Sequence, residues 1–182
     1  EVDARLQKVL TAEQNKRLKD LKENPGRGPG GCGGRSDNPR NLRELSEKDV
    51  LNVLELIRKE FTVDDKRIYL IGHSMGGAGT WHLGTKYPDL WAGLAPIAPA
   101  AFGQPTGLDK LKNIPVIVVQ GDKDTVVRPE GARRWVAKLK ELNLTHEYLE
   151  IAGGGHGDVV SKGIPKIFEV FGEQRQEKGK GE

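Results

Sequence analysis

Ile68-Tyr-Leu-Ile-Gly-His-Ser-Met-Gly-Gly-Ala-Gly79 is a short apolar run that ends in Gly-His-Ser-Met-Gly and passes at once into a helix-compatible segment. This is the G-x-S-x-G pattern in the context of strand, sharp turn and helix. The logic is steric. A turn this sharp holds Ser74 in a strained backbone conformation, so its neighbours Gly72 and Gly76 are expected to be small. The hydroxyl is then exposed at the carboxyl end of the strand. The helix that follows points its free N–H groups and positive dipole end toward it. The N–H of Met75 becomes a donor for a developing oxyanion. Taken alone the motif also fits an ordinary strand-to-helix turn, so the rest of the chain has to supply a base and an acid.

Downstream of the turn the pattern alternates. Arg67–Ile71 reads as a buried strand, and the helix after Ser74 runs to about Lys86, stopped by Tyr87-Pro88. A second strand lies within Leu90–Ile97, and residues 100–113 are a connection with no room for a lid domain. Ile114-Pro-Val-Ile-Val-Val-Gln120 is an almost unbroken apolar run, as in a parallel sheet covered on both faces. A helix from about Pro129 to Leu142, a strand His146–Ile151 and a helix from about Val159 to Phe171 complete the series. The fold class is α/β with a mostly parallel sheet and flanking helices. Sites in such sheets lie at the carboxyl ends of strands. Three of these ends carry chemistry here: Ser74, Gly121-Asp-Lys-Asp124 and Gly155-His-Gly157.

A serine hydroxyl is a poor nucleophile near neutral pH. It needs a base for its proton, and the base needs a partner that fixes its tautomer and stabilises its cation. His156 and Asp124 sit in loops after later strands, so both can converge on Ser74. Asp122 competes with Asp124 and can instead cap or brace the loop. His73 is expected to point away from the hydroxyl. His82 is expected on a helix surface or packed, and His146 in an exposed structural role. Trp81 and Trp91 read as core. Asp158 beside His156 raises a metal reading, but no spacing resembles a zinc site. No metal and no cofactor is expected.

Residues 40–171 resemble the carboxyl-terminal half of an α/β-hydrolase, most similar to esterases of the carboxylesterase/feruloyl esterase type, which are related to prolyl-oligopeptidase-like hydrolases. The resemblance rests on Gly72-His-Ser-Met-Gly-Gly-Ala-Gly-Thr-Trp81, Tyr87-Pro-Asp-Leu-Trp-Ala92, Ala95-Pro-Ile-Ala98, Gln120-Gly-Asp-Lys-Asp-Thr-Val-Val127 and Gly155-His156. It implies a Ser…Asp…His order, with Ser74 as nucleophile, Asp124 as the acid three residues after its Gly, and His156 as base. It also implies hydrolysis of small, accessible carboxylic esters. A peptidase, or a non-catalytic hydrolase remnant acting as a binding module, is the alternative.

The amino-terminal third departs from that pattern. Residues 1–65 hold no strand-like apolar run and no His. The sequence therefore predicts a truncated hydrolase sheet, with the elbow strand as an apolar edge. Bare edges of this kind pair with something, so a homo-oligomer is expected. A second oxyanion donor has to come from elsewhere, such as the Gly-rich loop 26–34. Val2, Leu6, Val9, Leu10, Leu18 and Leu21 give residues 1–23 helical spacing, with a capping box at Thr11-Ala-Glu-Gln14. Residues 24–41 are rich in Gly and Pro and form no regular element. They lack the G-x-x-x-x-G-K-[ST] pattern and a preceding strand, so they read as linker or rim loop and not as a nucleotide site. Ser46-Glu-Lys-Asp49 opens a helix whose buried stripe is Val50, Val53, Leu54 and Ile57. The expected organisation is a helix and linker over 1–41, a catalytic domain over 42–171 and a charged tail over 172–182.

Composition sets the remaining bounds. The 182 residues are enough for one domain with a real core. A net charge of +3, with basic and acidic residues interleaved, gives no reason to expect a nucleic-acid partner. No apolar run reaches membrane-spanning length. The single Cys32 allows no internal disulfide and leaves the redox compartment open. No signal peptide is visible, while the start at Glu1 and the polar Gly-rich stretch lean toward export.

Overall fold

The computed structural model describes residues 42–172, together with Ala12, Lys16 and Lys19, which are helical. The rest of the expected helix 1–23, the Gly-rich run with Cys32 and the tail beyond Gly172 lie outside the described residues. The chain forms two compact units, residues 1–63 and 64–182.

In the first unit, α1 spans Leu42–Glu60. It starts earlier than the capping sequence suggests. Leu42-Arg-Glu-Leu45 is a run of good helix formers, so Ser46 lies inside the helix instead of capping it. Glu44 and Lys48 pair across one turn at 3.0 Å, and Glu55 accepts from Arg58 at 2.6 Å. The expected buried stripe is only partly buried. Leu54 and Ile57 are half-covered, whereas Val50 and Val53 are exposed.

The second unit is a four-stranded sheet with strands in sequence order. Its elements are β1 (Tyr69–His73), α2 (Met75–Lys86), β2 (Gly93–Ile97), β3 (Val116–Gly121), α3 (Pro129–Glu141), β4 (His146–Ile151) and α4 (Asp158–Gly172). All neighbouring pairs are parallel. The first strand begins later than the apolar run does, because Asp64 ties 64–67 into a turn. It accepts the Lys66 N–H at 3.0 Å and the Arg67 Nε–H at 2.7 Å.

The central strands β2 and β3 are buried along their whole length. Their unbroken apolar sequence follows from this, since each has a helix layer on both sides. On one face Ala95, Ile97, Ile117 and Val119 pack with Val159, Ile167 and Phe171 of α4. On the other, Leu94 lies against Gly84 of α2. Trp81 of α2 and Trp135 of α3 stack there with ring centroids 4.7 Å apart. Trp81 and Trp91 are both core residues, 2% and 3% exposed. β1 is an edge of the sheet, and Ile71 on it is exposed. No helix among the described residues is long and apolar enough to cross a membrane.

Two glycines on α2 provide a test of this packing. A Cβ on Gly77 would sit 2.8 Å from the Pro99 Cα and 3.0 Å from the Ile97 carbonyl oxygen, both rigid. A Cβ on Gly79 would meet nothing within 4 Å. Gly77→Ala is expected to destabilise by about 1–3 kcal/mol through overpacking. Gly79→Ala is expected to stabilise by about 0.5–1 kcal/mol through helix propensity. Urea unfolding of the two variants checks the opposite signs.

Candidate active site

The site is built where β1, β3 and β4 end. Ser74 joins β1 to α2 with φ 57° and ψ −115°. This is a conformation that costs a non-glycine residue on the order of 1–3 kcal/mol. Three backbone hydrogen bonds hold it. The Ser74 N–H donates to the Ile97 carbonyl at 2.9 Å, and the Ser74 carbonyl accepts from Ala78 at 3.1 Å and Ala100 at 2.9 Å. Smallness before the serine is required, because a Cβ on Gly72 would lie 2.2 Å from the Gly76 carbonyl oxygen. Smallness at Gly76 is not, because a Cβ there would meet no atom within 4 Å among the described residues. The steric constraint after the serine falls one residue later, on Gly77, where α2 crosses the end of β2.

The loops after β3 and β4 are tied to each other. The Lys123 N–H donates to the Gly154 carbonyl at 3.0 Å, and the Asp122 N–H donates to the Ile151 carbonyl at 3.2 Å. Asp122 Oδ1 accepts the Gly153 N–H at 2.7 Å. Asp122 is therefore the brace between the loops. Asp124 is 3% exposed, and its Oδ1 accepts the N–H groups of Val126 and Val127 at 2.9 and 2.8 Å. Its Oδ2 lies 2.7 Å from His156 Nδ1, and His156 Nε2 lies 2.9 Å from Ser74 Oγ. With Asp124 ionised, Nδ1–H donates to the carboxylate, so Nε2 accepts the Ser74 hydroxyl proton.

Burial is the largest influence on the Asp124 carboxyl and pushes its pKa up. The hydrogen bond from His156, those from the Val127 and Val126 amides, and attraction to the His156 ring together outweigh it. The net result is a pKa below the ordinary 3.8. The group stays ionised through the neutral range, as an acceptor that orients a histidine requires.

Two residues support this row that sequence reasoning passed over. His73 does turn from the Ser74 hydroxyl, but its Nε2 donates to the backbone carbonyl of His156 at 2.8 Å, and the two rings lie 4.7 Å apart. The strand that carries the serine thus also holds the loop that carries His156. Gln120 is fully buried, and its Nε2 reaches Asp124 Oδ2 at 3.2 Å and the Val127 carbonyl at 3.0 Å. A lone amide ending an all-apolar strand was the available signal. The other candidates do not join the row. The His146 ring bonds the Leu144 carbonyl at the opposite end of β4 at 2.7 Å, and His82 stays on α2. Asp158, the first residue of α4, braces the loop before it, where Oδ1 accepts the Gly155 N–H at 2.7 Å. Among the described residues no cluster of three or more metal-ligating side chains occurs. The loop 26–34, considered for a second oxyanion donor, lies outside the described residues.

Beside the row a cleft of about 500 Å³ opens between the loop after β2 and the start of α3. Phe102, Val126 and Arg128 are among its lining residues, and Phe102 and Val126 are mostly exposed.

Comparison with known proteins bears on the fold. The family described as "Serine aminopeptidase, S33" matches residues 26–114. A solved thermostable esterase, 31% identical, superposes with a TM-score of 0.61 over 71% of this chain and 37% of its own. The chain has the α/β-hydrolase fold. The S-formylglutathione hydrolase of Staphylococcus aureus shares this α/β-hydrolase fold at 18% identity, with a TM-score of 0.62 over 72% of this chain and 62% of its own. Among curated relatives, the bifunctional acetylxylan esterase/xylanase XynS20E of Neocallimastix patriciarum is 33% identical over 93 residues, 50% of this chain and 13% of that protein. Cutinase 2 of Thermobifida cellulosilytica is 29% identical over 94 residues, 52% of this chain and 34% of that protein. The chain spans about a third or less of the length of the curated relatives it matches. The expectation of an α/β-hydrolase sheet is met, and its described part is β1 to β4.

The depressed Asp124 pKa has a signed consequence. Its contribution to stability is complete above the unfolded-state pKa, near 3.8, and is lost as pH falls through the lower folded-state value. Urea unfolding below about pH 4 is therefore expected to show the wild type losing more stability than Asp124→Asn. Parallel loss in the two proteins contradicts the assignment.

Proposed function

We propose that the domain is a serine esterase that hydrolyses small, accessible carboxylic esters through an acyl-enzyme. The observation that carries this reading is the continuous hydrogen-bonded row from Asp124 through His156 to a serine held at φ 57°. Ser74 Oγ forms a bond to the ester carbonyl carbon while its proton passes to His156 Nε2. The carbonyl π electrons move onto oxygen. The Met75 N–H, first in α2 and without an acceptor inside its helix, donates to that oxyanion. As the intermediate collapses, the bond to the alcohol oxygen breaks and the alcohol leaves with the proton from His156. Water repeats the sequence on the acyl-enzyme and returns Ser74. Asp124 keeps His156 in the required tautomer and stabilises its cation.

The cutinase and acetylxylan esterase relatives and the thermostable esterase support ester substrates. The family description "Serine aminopeptidase, S33" supports the second reading, a peptidase. The connection over 100–113 carries only the short turn Leu108–Leu111, too little for a lid, which favours short acyl chains in an open site. The edge position of β1 with Ile71 exposed supports self-association.

Hydrolysis of p-nitrophenyl butyrate is expected to exceed that of alanine p-nitroanilide, and Ser74→Ala is expected to lower it by at least about 10³. Unchanged activity in Ser74→Ala would falsify the nucleophile assignment, and a preference for the anilide would favour the peptidase. No turnover of either substrate would favour the non-catalytic binding module. Gel filtration at micromolar concentration is expected to give a dimer or larger species; a clean monomer contradicts self-association.

A further inference from the structure

The cleft is lined by Pro99 and Ala101, which flank the Ala100 N–H bonded to the Ser74 carbonyl, and by Val126 and Val127, whose amides bond Asp124, and it has a charge that ester hydrolysis by itself does not explain. Arg128 and Arg134 both line it, and among the described residues Glu130 is the sole acid in its wall. Neither arginine forms an ion pair with any described residue. Glu130 pairs with neither, although it lies one helical turn from Arg134. The contrast with the adjacent Arg133 is direct. Its Nε and Nη2 donate to both carboxylate oxygens of Glu150, at 2.9 and 2.7 Å. The fold thus satisfies the guanidinium that faces the sheet edge and leaves the two that face the cleft. The cleft also opens on the amino end of α3, where Arg128 is the N-cap residue and makes no side-chain cap. The helix end adds positive potential of its own. The rest of the lining is largely apolar, with Pro99, Ala101 and Phe102 from the loop after β2 and Val126 and Val127 from the loop that leads to Arg128. A hydrocarbon segment against Phe102 and Val126, ending in a carboxylate between Arg128 and Arg134, matches this wall in both polarity and charge.

We propose that the cleft is an acyl subsite for hemiesters of dicarboxylic acids, esters that carry a free carboxylate on the acyl side. The proposal rests on the esterase reading above. A guanidinium suits this task because it is charged at every working pH and meets carboxylate oxygens two at a time. The cleft volume of about 500 Å³ accommodates such a chain.

The test compares monoethyl adipate with ethyl hexanoate, near-isosteric esters that differ in the terminal carboxylate, by pH-stat at low salt. The expected kcat/KM ratio favours the anionic ester by about tenfold, the order of one charge-assisted hydrogen bond. The ratio is expected to shrink in about 0.5 M NaCl through screening. It is expected to fall toward one in the Arg128→Gln/Arg134→Gln double variant and to rise in Glu130→Gln, which removes the competing acid and keeps the test available if the double variant does not fold. Hydrolysis of ethyl hexanoate with no preference for monoethyl adipate overturns the subsite and leaves the esterase reading standing. A preference that is unchanged in both variants overturns it equally. Hydrolysis of neither ester while p-nitrophenyl butyrate is still turned over overturns the subsite alone; hydrolysis of none of the three overturns the esterase reading, and the subsite with it.

Discussion

Everything at the site depends on how closely the loop after β3 meets the loop after β4. A Cβ on Gly121 would lie 2.2 Å from the Gly154 carbonyl oxygen, so only glycine allows the two backbones to run this near. The contact is then fixed by the amides of Lys123 and Asp122 and by the Asp122 carboxylate on Gly153. Asp124 follows on one strand of this clasp and His156 on the other, and their 2.7 Å hydrogen bond is a consequence of it. A larger residue at position 121 would move Asp124 and His156 apart before it touched either.

A second clasp holds the serine to this pair. Its strained backbone is tied to the end of β2 by bonds to Ile97 and Ala100, and to α2 by the bond from Ala78. The cost of the left-handed φ is of the same order as a few such bonds in net terms. The strain therefore persists only where the surrounding structure determines it completely. His73 then links the serine strand to the His156 loop through one buried-side hydrogen bond. The strand ends form a closed circuit, β1 to β4 through His73, β4 to β3 through Asp122, β3 to β2 through the Ala98 N–H on the Val119 carbonyl at 2.8 Å, and β2 to β1 through Ser74 itself. Side chains on such a circuit keep their distances without relying on any one of them. This is the preorganisation that the proposed proton transfer between Ser74 and His156 needs.

Much of this was legible in the residues. The apolar runs placed the central strands β2 and β3, which are buried along their whole length and so show no alternation, whereas β4, His146–Ile151, is only half-buried and mixes polar with apolar residues. Ser74 and His156 stand out by loop position and chain order, while the choice of Asp124 over Asp122 came from the family resemblance; in the structure it is Asp124 that lies 2.7 Å from His156 Nδ1. What stayed hidden depends on contacts between distant segments. Local spacing suggested Gly76 as the cramped position, but the cramping comes from Pro99, so it falls on Gly77. The capping sequence at Ser46 competed with the good helix formers before it and lost. The role of His73 depends on a carbonyl 83 positions later in the chain, which no local pattern contains. Arg128 and Arg134 look like surface charges in sequence and are exposed in the structure; only their shared cleft, and the absence of an ion pair with any described residue, sets them apart.

The central claim is that His156 activates Ser74. The most direct measurement is the rate at which a fluorophosphonate phosphonylates Ser74, followed by intact mass and peptide mapping, in the wild type and in His156→Asn across the range from about pH 5 to about pH 9. The account predicts single-site labelling at Ser74 whose rate rises with pH as one group loses its proton, and a rate lower by at least about 10³ in His156→Asn with that pH dependence gone. Equal rates and equal pH profiles in the two proteins, or labelling at another residue, would contradict it.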